Sequence, residues 1–336
     1  MTTGHSHRQL SRTFLFAAVV ACLLIVLIAS ICIGQYPISL HDIGEIITGR
    51  MPDTLTRRVF LRLRLPRALM GLLGGLGLGL SGSIYQTIFK NPLASPDIIG
   101  VAGGANLGSA IAIVMLGAST FAIASGAFIG GIAVVLLVLV LARLTPTSTT
   151  VTYVLAGIVM SSISKALIML LKFFADPANE LAAIEFWTMG SLANITDTKL
   201  LAILPIFLLS AAGLLLLRRQ IELMHLSEDE CRTLGMPLYR VRLLILSLST
   251  LLTASIIAVT GLIAFIGLIA PHIARLMLRR NNFATCLMSA LVGAIVLTSA
   301  DILARNLYTA EIPISIFTTV IGVPILVWFM CRQREI

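Results

Sequence analysis

Apolar residues run along the chain in stretches of about twenty, broken by short polar segments carrying Gly, Pro, Asn and charged residues. A hydrocarbon core about 30 Å thick takes about 20 apolar helical residues to cross. Ten such runs predict spans near 14 to 33, 66 to 89, 98 to 117, 121 to 142, 152 to 174, 200 to 217, 243 to 260, 262 to 278, 284 to 304 and 315 to 331. The expected fold class is therefore all-α: a polytopic membrane protein of about ten transmembrane helices.

Composition agrees with that pattern. Charged residues make up 12% of the chain and hydrophobic ones 58%, with a mean hydropathy of +1.01. Soluble domains carry about 25% charge, so a soluble enzyme and a disordered chain are both excluded. The five cysteines show no paired spacing, which excludes a disulfide scaffold and a zinc site. The first run follows Arg8 and Arg12 as in a signal peptide, yet its length and the lack of a small-x-small cleavage site predict a retained span.

The net charge of +9 is spread singly or in short clusters between apolar runs, which argues against nucleic acid. With ten crossings both termini share one side, together with Arg8, Arg12, Lys90, Arg143, Arg218, Arg219, Arg232, Arg240, Arg242, Arg275, Arg279, Arg280, Arg332 and Arg334. The positive-inside rule makes that side the cytoplasm. The opposite side breaks the rule locally with Arg50, Arg57, Arg58, Arg62, Arg64 and Arg67. Either a strong first span fixes orientation and these charges are tolerated, or they form a basic docking surface for an acidic partner.

Gly71, Gly75 and Gly79 recur every four residues on the second span, and Gly100, Gly104 and Gly108 on the third, a device for close helix approach in lipid. Ser81-Gly82 followed by Pro92 is echoed by Thr260-Gly261 followed by Pro271, after spans of opposite direction, as an inverted repeat would give. Between Arg218 and Arg242, Ser227 and Glu230 form a capping-box pattern, and Glu228, Asp229 and Glu230 place negative charge in a first helical turn. Arg232 falls near the far end, Gly235 is placed as a C-cap and Pro237 ends the helix. About two turns of helix are thus displayed on the cytoplasmic face, either as a solvated connector or as a docking element.

Several ordered motifs together resemble the FecCD family, the permease subunits of ABC importers for ferric siderophores, haem and cobalamin. They are Leu63-Arg64-Leu65-Pro66-Arg67, Ser81-Gly82 with Gln86, Asn91-Pro92-Leu93-Ala94 with Pro96 and Gly100, and Trp187-Thr188-Met189-Gly190-Ser191-Leu192. Leu234-Gly235, Phe265 to Ile273 with Arg275, Ala300-Asp301 with Arg305, and Glu311-Ile312-Pro313 with Gly322 and Pro324 complete the set. Cys231, Ser315 and the stretch Arg280-Asn281-Asn282 depart from the family pattern.

The resemblance implies a BtuC-like permease fold, a single transmembrane domain over 1–336 with a cytoplasmic coupling region at 218–242 and an extracytoplasmic basic segment at 34–67. It implies a homodimer or pseudo-dimer, two cytoplasmic ATP-binding subunits, an extracytoplasmic substrate-binding protein and a bacterial inner-membrane location. It implies no catalytic residue, cofactor or resident metal, and no Walker motif is present. Ser227, Glu228, Asp229, Glu230, Cys231, Arg232, Leu234 and Gly235 match the ATPase-coupling helix. Arg64, Arg67 and Arg305 match arginines that pair with the binding protein, and Asp301, one turn from Arg305, is placed to orient it.

Lys165 and Lys172 share one face of the fifth span with Ser161 and Ser164 nearby. Lys165 sits about 13 Å from the outer end of that span, beyond comfortable snorkelling. An embedded lysine faces a cavity or a partner, so an anionic cargo such as a ferric siderophore or haem is expected over neutral cobalamin, with an interhelical hydrogen bond as the alternative. Two readings from other classes remain to be weighed. Gly79-Leu80-Ser81-Gly82 with His272 matches a rhomboid-like intramembrane protease, and an ion-coupled transporter would draw on Asp97 and Asp301.

Overall fold

The structure, a computed structural model, describes residues 3–145, 150–308 and 310–332, so Arg334 lies outside the described residues. The chain opens with α1 (Thr3–Cys32), then α2 (Leu40–Ile47), α3 (Leu55–Val59), α4 (Leu65–Ile88), α5 (Val101–Met115), α6 (Thr120–Leu144) and α7 (Thr150–Phe174). It continues through α8 (Glu180–Thr188), α9 (Asp197–Leu216), α10 (Arg218–Leu223) and α11 (Glu228–Thr233). α12 (Leu238–Thr260), α13 (Ile266–Leu278), α14 (Phe283–Asn306) and α15 (Ile314–Arg332) complete it. Seven described helices are long and apolar enough to cross a membrane, and α5, α13 and α15 are shorter apolar helices; seven and three match the ten predicted spans.

The basic segment between the first two spans is helical too, which the apolar pattern did not reveal. Ser39 caps α2 reciprocally with Asp42: Asp42 N–H donates to Ser39 Oγ at 3.1 Å and Ser39 N–H to Asp42 Oδ2 at 3.0 Å. α3 runs into α4 through a π turn at Phe60–Arg64, where Leu65 N–H reaches back to Phe60 O. Pro66 lacks the N–H that would continue the ladder, so the helix widens just before it.

α4 is buried on nearly every side and lies at the centre, against α12, α13 and α14. Its glycine stripe explains the fit. A side chain at Gly75 would fall on the backbone of Gly293 and Ala294, and one at Gly79 on the Ser289 carbonyl. Backbones this close gain dispersion contact that lipid does not offer, and Ser289 Oγ adds a 2.7 Å hydrogen bond to Gly79 O. The second stripe acts likewise, with Gly104 and Gly108 of α5 facing Gly130 and Gly126 of α6.

The echoed dipeptides do not mark equivalent turns. Gly82 lies inside α4, pressed on Gly267, whereas Gly261 ends α12 with a φ of 70°. The protease pair does not form: Ser81 Oγ donates to Ser249 O, while His272 Nδ1 bonds Leu268 O at 2.6 Å.

Candidate functional site: coupling knob and arginine network

The bundle has two chemically distinct ends. Arg64 and Arg67 begin α4, and Lys90, just past its other end, donates from Nζ to Leu226 O beside the knob. Twenty-four residues of α4 at 1.5 Å each hold the two regions roughly 36 Å apart.

At the knob end the expected short helix is present as α11, specified locally. Glu230 N–H donates to Ser227 Oγ at 3.2 Å and Ser227 N–H to Glu230 Oε2 at 2.8 Å, closing the capping box. Gly235, with a φ of 74°, takes the left-handed position past the helix, and its N–H reaches Arg232 O. One face is seated: Cys231 is buried and its Sγ contacts Leu223 O. The opposite face presents Asp229, Arg232 and Leu234, the last 61% exposed.

Glu228 has a role that spacing did not show. Its Oε1 accepts from Arg242 Nη2 at 2.6 Å, and the Arg242 side chain is only 7% exposed. That charged hydrogen bond holds the Glu228 carboxyl below its ordinary range, and burial only partly offsets it. The pair straps the knob to the second turn of α12 across the Gly235-Met236-Pro237 turn. Glu230 is held low in turn by the backbone and hydroxyl of Ser227.

At the other end all three arginines expected to meet a binding protein are buried. Each has found acceptors within the chain. Arg67 reaches Asp301 Oδ1 from Nε and Nη2 at 2.9 Å and Glu311 Oε1 from Nη1 at 2.6 Å. Arg64 donates to Ile33 O and, at 3.2 Å, to Tyr36 O; Arg305 donates to the carbonyl and hydroxyl of Ser30. Asp301 thus serves Arg67 first, its distance to Arg305 Nε being 3.8 Å. These contacts draw the end of α1, the start of α4 and the end of α14 together. Arg50, Arg58 and Arg62 remain exposed, Arg58 paired with Asp53 at 2.7 Å.

The residues expected along a pathway are divided by α7. Ser164 is buried, Ser161 is half-buried beside Gly100 and Gly103, and Lys165 is exposed on the face that the chain leaves uncovered. Lys172 is tied to Glu185 of α8 at 2.6 Å. Among the described residues no group of His, Cys, Asp and Glu is arranged to hold a metal.

The FecCD transport family model matches residues 22–332. This chain belongs to the FecCD transport family. The molybdate import system permease MolB of Haemophilus influenzae is 36% identical over 307 residues, covering 90% of this chain and 91% of that protein. The hemin transport system permease HmuU of Yersinia pestis is 34% identical, covering 82% and 84%. A solved inward-facing transporter of the metal-chelate ABC type superposes with a TM-score of 0.84 at 35% identity, covering 94% of this chain and 97% of that one. The FecCD chain is accordingly a multi-pass permease subunit of an ABC importer with a BtuC-like fold, not an enzyme; separate ATP-binding subunits hydrolyse ATP, and substrate-binding proteins deliver cargo.

Proposed function

We propose that this permease carries an anionic metal species across a bacterial inner membrane, a ferric siderophore first of all. The observation behind this reading is Lys165. It has no hydrogen-bond or ion-pair partner among the described residues, lies within a span and faces away from the fold. Lipid exposure of a lysine costs roughly 2.5 kcal/mol or more, so that face of α7 is better explained by a second permease copy enclosing a pathway. An ammonium there favours an anionic cargo, with Ser161 alongside as a neutral hydrogen-bonding group.

In this reading the knob end faces the cytoplasm, as do both termini, and two ATPase subunits seat on Ser227 to Gly235. The binding protein docks on the arginine end. Arg64, Arg67 and Arg305 set the shape of that rim, and Arg50 and Arg62 present free charge to acidic groups. Cargo released there moves between two copies when nucleotide-driven motion of the knobs opens the opposite end.

A second cargo is supported by similarity: the MolB relative points to a molybdate-type oxyanion, which the same lysine would suit. Haem and cobalamin are the remaining alternatives. Uptake of a ferric siderophore, haem, cobalamin and molybdate by the reconstituted complex separates them. Lys165→Gln should reduce transport of the anionic cargo while leaving ATPase stimulation by the docked binding protein intact; unchanged transport of every anionic cargo would remove the proposal.

A further inference from the structure

A cavity of about 450 Å³ opens at the knob end, between the ends of α4 and α13, the start of α14 and the turn joining α10 to α11. Its lining carries two cations, Lys90 and Arg275, together with the imidazole of His225, and no carboxylate. Arg275 uses Nη2 on the Gln86 side-chain oxygen, and Lys90 uses Nζ on Leu226 O. Neither forms an ion pair among the described residues. Glu222, on α10, is occupied by the Phe283 N–H at 3.2 Å. His225 Nε2 is buried and has no hydrogen-bond partner.

The floor is polar and satisfied. Ser83 Oγ contacts Cys286 Sγ, Thr87 Oγ1 donates to Ser83 O, and Thr285 Oγ1 donates to Arg280 O. Two fixed cations therefore face one roomy polar space beside the start of the 24-residue α14. The ends of α4 and α13 offset part of the positive charge through their carbonyls, but a partly buried guanidinium still lacks an anion.

We infer that this cavity binds a phosphate-class oxyanion, gripped by the Arg275 fork and Lys90. Planar guanidinium geometry matches such oxygens, and charge-assisted hydrogen bonds are the strong ones. Lys90 already ties α4 to the turn immediately before Ser227. An anion at this point would add α13 to that tie, so occupancy would stiffen the seat of the knob.

The oxyanion has two sources, a free ion or a phospholipid headgroup, and the test separates them. Phosphate, sulfate and molybdate are titrated calorimetrically into the full-length chain, alone and with its ATPase subunits, at constant ionic strength with chloride as the control. In parallel, native mass spectrometry counts phosphatidylglycerol or phosphatidylcholine retained from nanodiscs. Lys90→Gln changes an exposed rim residue and preserves the fold; Arg275→Lys keeps the charge but removes the fork. Each should weaken binding by about tenfold. Saturable uptake of a free oxyanion, reduced by both variants, supports the site with a solution ligand. Selective retention of phosphatidylglycerol, reduced by both, supports it with a headgroup. Absence of both, or binding indifferent to both variants, overturns it.

Discussion

Arg67 and Asp301 meet at 2.9 Å from positions 234 residues apart, joining the first turn of α4 to the last turns of α14 with side chains 10% and 1% exposed. The carboxylate of Asp301 also offsets Arg305, so one buried acid answers two buried guanidinium groups. Asp301→Asn leaves both charges undercompensated and should cost about 3 to 5 kcal/mol. Thermal unfolding in detergent measures this, and an unchanged midpoint would show the network to be dispensable.

The exposed basic residues of the same segment should behave differently. Arg62→Ala removes no internal partner and should leave the unfolding midpoint within about 0.5 kcal/mol of wild type. It should slow capture of the binding protein, most visibly at low salt, where charge steers encounter. Surface plasmon resonance at two ionic strengths reads the association rate.

Gly75 sits where α4 has no room for a side chain, because the displaced neighbour would be the backbone of α14. Gly75→Ala should therefore destabilise by about 1 to 3 kcal/mol, more than Gly44→Ala, whose added methyl meets nothing within 4 Å. Comparing melting midpoints of the two variants tests whether the stripe sets the approach of the helices.

Ser227→Ala removes the cap of α11 and should cost the knob about 1 kcal/mol locally. Glu228→Gln loosens the knob from Arg242 without removing the helix. Both should lower transport per ATP hydrolysed more than they lower binding-protein docking, measured by uptake and hydrolysis in the same proteoliposomes.

Acid should release the strap. Glu228 titrates below its unfolded value, so its contribution is present above the ordinary carboxylate range and is lost as pH falls through the lowered folded value. Hydrogen-exchange protection factors of residues 227–236, corrected for the intrinsic pH dependence of exchange, should fall on acidification below about pH 4 and stay flat between about pH 6 and 8. In Glu228→Gln the acid-dependent part should shrink to what Glu230 contributes.

Much of the architecture is legible in the primary structure because each span must carry its own apolar length, and because caps and prolines act within one turn. Ser227, Glu230, Gly235 and Pro237 specify α11 with no help from elsewhere, and the glycine stripes announce close packing without naming the partner helix. What could not be read is pairing at a distance. Nothing near Glu228 points to Arg242, and nothing near Arg67 points to Asp301. Counting arginines on a loop also says how much charge is there but not where it is turned: Arg64 and Arg305 are spent on carbonyls of Ile33 and Ser30, which only the folded chain brings to them. The α2 helix has a legible sign, the Ser39 and Asp42 capping pair, in a segment too short and too polar to register as an apolar run.

The Glu228 to Arg242 strap has a mechanical consequence. α12 runs about 27 Å from Arg242 to Thr260, whose carbonyl takes the Ser191 N–H beside the Trp187 to Gly190 bend. If the knob is the ATPase seat proposed above, a displacement imposed on it would be delivered by a stiff rod to the far mouth, and breaking the strap would leave the motor turning with its driveshaft slipping.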